Sequence, residues 1–174
     1  SSIGRTVEST GLRKDGTEFP IELSLAIWQK GEDAFFTIIV RDITDRKGVE
    51  EAVRESEEKY RTILENIEDG YYEVDLAGNF TFFNDSLRQL FGYSQDELMG
   101  MNNQEFMDKE TSKKVFKTFN TVYRTGELDQ AFEWEIIRKD ETRRLIESSV
   151  SLVQDITGEP IGFRGLVRDI TGHR

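Results

Sequence analysis

The five residues VRDIT stand at Val40–Thr44 and again at Val167–Thr171, and the stretches before them repeat as well. LRKDGTEFPIELSLAIWQ at Leu12–Gln29 aligns with IRKDETRRLIESSVSLVQ at Ile137–Gln154 at an offset of 125, which grows to 127 at VRDIT. A shared run whose copies differ by two residues in a loop is the mark of a duplicated unit. Each copy reads as a three-stranded antiparallel meander. In the first, Ile21, Leu23, Leu25 and Ile27 alternate with Glu22, Ser24 and Ala26, and Phe36, Ile38 and Val40 continue the period of two. RKDG and QKGED are the turns. In the second, Phe132, Trp134 and Ile136, then Ile146, Ser148, Val150 and Leu152, then Phe163, Gly165 and Val167 form the same pattern.

Working outward, the second copy has a long upstream region and the first has almost none. The first 47 residues therefore read as the C-terminal half of a domain, and a chain that starts SSIGRT without Met reads as a cut piece. That half exposes the apolar row from Ile21 to Val40, so the row is expected to lie under the following helix or under the same face of a second chain.

Residues 48–67 read as a linker helix. Val49, Val53, Ser56, Tyr60, Ile63 and Ile67 step by 4, 3, 4, 3 and 4, a heptad seam flanked by Glu-rich faces. Two readings stand: one amphipathic helix packed on its own domain, or a two-chain coiled coil.

Beyond it, GYYEVDLAGNFTFFN predicts a hairpin with Phe80–Phe83 as its second strand. Asn84 is placed to cap a short helix, Ser94 and Glu97 form a capping box, and Asp108 and Gly126 bracket a longer helix. That helix carries the stripe Val115, Phe116, Phe119, Val122 and Tyr123. The order predicts an α+β domain over about residues 60–174, a five-stranded antiparallel sheet with helices on one face.

The composition excludes several chemistries. The net charge of −11 carries no basic patch of the kind nucleic acid requires. No apolar run reaches the ~20 residues of a membrane-spanning helix. With no Cys, and His173 as the single His, disulfides, thiolate nucleophiles, zinc sites and His-based triads are not expected, and no metal ligands are assigned. Glu133 and Glu135 alternate onto an outward face, where carboxylates are solvated rather than catalytic.

ENIEDGYYEVDLAGNFTFFNDS, FGYSQDELMG, IIRKDETRRLIESSVSL and GFRGLVRDITGHR, in this order, resemble a PAS domain, and the whole chain resembles part of a tandem PAS array of a bacterial sensor protein. The resemblance implies a PAS fold preceded by a partial, three-stranded one. It also implies a non-enzymatic sensory or relay module, a homodimer in the cytoplasm, and an output domain in the same longer protein, a histidine kinase or a cyclic-di-nucleotide enzyme. By the same resemblance Asp42 and Thr44, and Asp169 and Thr171, tie the last strand to the helix that follows. The plain alternative is that they only cap it.

The family position of a ligand pocket falls on Tyr72, Val74, Trp134 and Ile136, on Ile146, Ser148 and Val150, and on Phe163 and Gly165, with Phe116 and Phe119 opposite. A LOV-type flavin and a Cys-linked chromophore each need a cysteine, and haem needs a core histidine, so none of the three is expected. Non-covalent FAD and a small, mostly apolar metabolite stay open, beside the reading that these side chains simply fill the core. His173 lacks the surroundings of a kinase phosphoacceptor.

Overall fold

The computed structural model describes residues 4–172, so His173 lies outside the described residues. The chain divides into two compact units between Tyr60 and Arg61.

The first unit holds β1 (Arg5–Leu12), β2 (Glu18–Lys30) and β3 (Asp33–Asp42), an antiparallel sheet in the order β1-β2-β3, followed by most of α1 (Thr44–Asn66). Alternation sets the register: Leu23 pairs with Val40, Leu25 with Ile38 and Ile27 with Phe36, so the apolar row occupies one face. The reverse face is apolar too. Trp28 stacks on Phe35 at 4.6 Å and its indole donates to Thr37 Oγ1 at 3.1 Å. The expected cover by the following helix is absent: Phe36 is 66% and Ile38 61% exposed, and α1 buries none of its residues. The helix holds the sheet through ions instead. Arg46 bridges Glu8 and Glu22 at 3.0 and 3.1 Å, and Lys47 reaches Glu8 at 2.6 Å. The helix also begins four residues before the expected boundary at 48 and ends at Asn66.

The second unit contains β4 (Gly70–Asp75), β5 (Phe80–Phe83), α2 (Asp85–Phe91), α3 (Gln95–Leu98), a 3-10 turn at Asn103–Phe106, α4 (Lys109–Thr125), β6 (Asp129–Ile137), β7 (Arg143–Gln154) and β8 (Pro160–Asp169). The five strands form one antiparallel sheet in the order β5-β4-β8-β7-β6. Its helices start and stop where the side chains dictate. Asn84, Ser94 and Asp108 accept the first free N–H groups of α2, α3 and α4, and Gly92 and Gly126 end α2 and α4 in the left-handed conformation.

The repeat is visible in space. β1, β2 and β3 correspond to β6, β7 and β8, with matching pairings. In the second unit one face of this meander is buried under the helices, and its core runs from Ile136, Ile146 and Val150 to Leu87, Phe91, Leu98 and Phe106.

Candidate functional site: strand–helix junctions and a filled core

Each VRDIT ends in the same small motif. Asp42 Oδ1 accepts the Thr44 N–H at 3.0 Å and its hydroxyl, and Asp169 Oδ1 accepts the Thr171 N–H at 2.9 Å and its hydroxyl at 2.6 Å. The intervening isoleucine donates its N–H back to β2 or β7: Ile43 to the Pro20 carbonyl at 3.1 Å, Ile170 to the Leu145 carbonyl at 3.0 Å. The copies differ at one atom. Leu145 N–H donates to Thr171 Oγ1 at 3.0 Å, whereas Pro20 has no N–H to give Thr44.

The same Asp-x-Thr turn closes three loops, at Asp15 and Thr17, Asp140 and Thr142, and Asp155 and Thr157. The motif is therefore a general Asx turn that the chain also uses at its junctions. The Thr44 hydroxyl and N–H hold the Asp42 carboxyl below its ordinary value, with Arg13 at 3.2 Å adding to them. Burial raises the Asp169 carboxyl, but the Thr171 bonds with Arg144 and Arg138 outweigh it and leave it lowered.

A polar residue that sequence reading took only for a cap organises the incoming side. Asn84 is buried, accepts from Tyr71 N at 2.8 Å and Leu87 N at 3.1 Å, and donates to Leu64 O at 3.0 Å and Asp69 O at 3.1 Å. It thus joins the last turn of α1 to β4 and α2. Ser86 Oγ donates to Ile67 O at 2.8 Å, and Arg168 forks onto Asp69 at 3.1 and 2.8 Å. Arg168 directly precedes Asp169, so the chain entering the domain is pinned to the strand leaving it. A buried Asn at a helix start with several backbone groups in reach has no signature in sequence beyond its capping position.

Of the residues assigned to the seam, Val49, Val53, Ser56, Tyr60 and Ile63 lie on α1 and are exposed. Ile67 is a correction: it falls past the helix end, half-buried, with its carbonyl held by Ser86.

The residues assigned to the pocket converge from β4, β6, β7 and β8. Tyr72, Val74, Trp134, Ile136, Ile146, Ser148, Val150, Phe163 and Gly165 are all buried, and Phe119 is partly buried against Phe163 at 4.9 Å. Phe116 is a correction. On α4 the inward positions are Val115, Phe119 and Val122, and Phe116, one residue round the helix, is 68% exposed.

The space between these residues is occupied by side chains outside that set. Phe106 contacts Phe91 at 4.7 Å and Phe80 at 5.5 Å, leaving a void of about 20 Å³, room for a single water. Trp134 lines this void, and its Nε1 is buried without a hydrogen-bond partner among the described residues. Tyr72 OH donates to Ser149 O at 2.9 Å, and burial pushes its phenol well above the ordinary value. Gly165 makes room for that bond, since a Cβ there would stand 1.9 Å from the same carbonyl. A larger groove of about 370 Å³ opens beside this core, lined by Val115, Phe116, Phe119 and Tyr123 of α4 together with Met107 and Phe163. Among the described residues no cluster of acidic or imidazole side chains could hold a metal, and no helix is long and apolar enough to cross a membrane.

A five-stranded antiparallel sheet with three helices on one face and pinned strand–helix junctions defines a small α+β domain. The comparisons give the family. The family described as PAS fold matches residues 58–170, and one described as PAS domain matches residues 2–45. The chain belongs to the PAS family.

It is 32% identical over 140 residues to Sensor protein FixL of Bradyrhizobium diazoefficiens, covering 78% of this chain and 27% of that protein. It is 26% identical over 144 residues to Sporulation kinase E of Bacillus subtilis, covering 83% and 19%. The chain thus spans about a quarter or less of these relatives. A PAS domain from Colwellia psychrerythraea superposes with a TM-score of 0.61 at 19% identity, covering 66% of this chain and 96% of that one. The PAS domain of an HTR-like protein from Haloarcula marismortui gives 0.60 at 23% identity, covering 71% and 99%. The matched family is a sensory module rather than a catalytic one, and the chain is similar to part of a sensor protein and part of a sporulation kinase.

Proposed function

We propose that the chain is a relay and dimerisation module of a cytoplasmic bacterial sensor, joined in the longer protein to an output domain such as a histidine kinase. One observation carries the reading: the end of α1 is hydrogen-bonded through Asn84 to the domain, and the next residues are ion-paired through Asp69 to the strand that leads out. A rotation or shift of α1 would reach β8 within one side-chain contact of Asp169. The unburied stripe Val49, Val53, Tyr60 and Ile63 supports α1 as the helix that pairs with a second copy. The test is the hydrogen exchange of residues 167–171 in the wild type and in Asn84→Ala. Coupling predicts faster exchange at Ile170 and Thr171 in the variant, and unchanged exchange there would reject it.

A second reading rests on the buried, unpartnered Trp134 indole: the second unit binds a small, mostly apolar metabolite bearing one acceptor. A void of about 20 Å³ requires Phe106 or Phe119 to move first. A thermal-shift screen across metabolite classes tests it, and no shift in any class would exclude it. Non-covalent FAD would need still more room than such a metabolite.

A further inference from the structure

The groove of about 370 Å³ lies wholly within the second unit, between α4, the turn from β4 to β5 and the 3-10 turn. Leu76 and Phe163 mark its end of β4 and β8. The chain enters β4 at Gly70 and leaves β8 at Asp169, at the other end of the same two strands. The groove's size falls in the range of small-molecule sites, ~300–1,000 Å³. Its floor is apolar: Val115 lies beside Phe119, which meets Phe163 edge-on at 4.9 Å. Phe116 and Tyr123 carry that surface out to solvent. Polar groups stand around it. Asn103, Gln104, Ser112 and Asn120 all line the groove, and none of their side chains makes a hydrogen bond among the described residues. No lining residue is acidic.

The wall of this groove is also the basic helix of an acidic chain. Acids outnumber bases 34 to 23 in the whole sequence, yet α4 carries Lys109, Lys113, Lys114, Lys117 and Arg124 against Glu110. Elsewhere in the unit Arg138, Lys139, Arg143, Arg144 and Arg168 each hold a carboxylate. On α4 only Lys114 does, through Glu110 at 3.7 Å, and the other four cations hold none among the described residues. At about 100° per residue, Lys109 falls between Phe116 and Asn120 around the helix, and Lys113 falls just past Asn120. Those two cations therefore stand along the solvent edge of the groove wall, with Arg124 and Lys117 next to them. The arrangement works against the helix. Lys109, Lys113 and Lys117 follow one another at i, i+4, where like charges repel, and Lys109 sits in the first turn, where the helix dipole disfavours a cation.

We propose that the groove binds a small amphipathic organic anion, an aromatic carboxylate by class. Its ring lies against Phe116, Phe119 and Phe163, and its carboxylate faces Lys109 and Lys113, which have no protein acid to satisfy them. The free amides of Asn103 and Asn120 supply donors at the same rim. The site rests on neither reading above: it needs no pairing of α1 and no movement of Phe106.

The test titrates the isotope-labelled chain with 2-naphthoate and with its uncharged counterpart 2-naphthamide, and follows the backbone amide resonances. The expected result is saturable shifts at Gln104, Ser112, Phe116 and Asn120, with naphthoate bound roughly tenfold more tightly than naphthamide. That preference should fade at about 1 M salt, where the screening length is ~3 Å. Lys109→Gln combined with Lys113→Gln should lower naphthoate to the affinity of naphthamide with circular dichroism unchanged. Lys14→Gln combined with Lys30→Gln removes the same charge from the first unit and should leave binding as it was. Asn120→Trp, which fills the groove, should abolish binding of both probes. Equal affinity for the two probes, full naphthoate binding by the Lys109 and Lys113 variant, or shifts absent from the groove residues overturns the proposal. Shifts confined to Phe106 and Trp134 would do so as well, by putting the ligand in the core void.

Discussion

Asn84 holds four backbone groups from three elements with one amide. Replacing it with Ala strands two N–H and two C=O groups in a buried place, and we expect a loss of about 3 kcal/mol in urea unfolding. Asn84→Asp keeps the two acceptor bonds and should lose less at neutral pH. The ranking Ala worse than Asp checks that the donors and acceptors both count, and equal losses would contradict it. The two junction threonines are unequal. Thr171→Val leaves the Leu145 N–H without its partner, whereas Thr44→Val faces a proline, so the first should cost about 1 kcal/mol more than the second. These differences were invisible in two identical VRDIT strings. They depend on what lies across the sheet, at a position where the copies diverge to Pro20 and Leu145.

The elements follow from local chemistry and were largely legible. Alternation in β2 and β3, the capping box at Ser94 and the stop at Gly126 are short-range rules, and the residues that obey them sit where the rules place them. The inward parity of Tyr72, Trp134, Ile146 and Phe163 was legible for the same reason. Phe116 misled because the apolar stripe runs on from Val115 through Phe119 to Tyr123 and Phe116, and only packing against the sheet decides how much of it turns in. Phe91 and Phe106 were left out of the pocket because aromatic residues in short helices and loops carry no period to read. Phe106→Ala should cost about 3–5 kcal/mol and enlarge the void beside Trp134 enough to admit a small apolar ligand, measured by unfolding and by xenon or benzene binding. The α3 box is sensitive to acid. A hydrogen bond from Lys139, then those with Ser94, bring the Glu97 carboxyl from its ordinary 4.5 down to about 2. A lowered folded-state value means stability that is present above the unfolded value and is lost as pH falls toward about 2. Glu97→Gln should therefore narrow its deficit relative to wild type across that window. A deficit constant with pH would contradict the assignment.

At the scale of the molecule, two compact units share one repeat, and they differ in what surrounds it. In the second unit the meander is flanked by β4 and roofed by helices. In the first the same strands carry apolar side chains on both faces, and α1 leaves them uncovered. Sequence could name that exposed row but not its reverse face, because Trp28, Phe35 and Ile39 fall on the positions that alternation assigns to solvent. In the proposed relay two copies meet through α1, and the domain's ties to α1 carry that meeting to β8. Light scattering over a concentration series tests this most directly. The account predicts a dimer that becomes monomeric when Ile63→Asp is added. A chain that is monomeric without any substitution, or a dimer indifferent to Ile63→Asp, would contradict it.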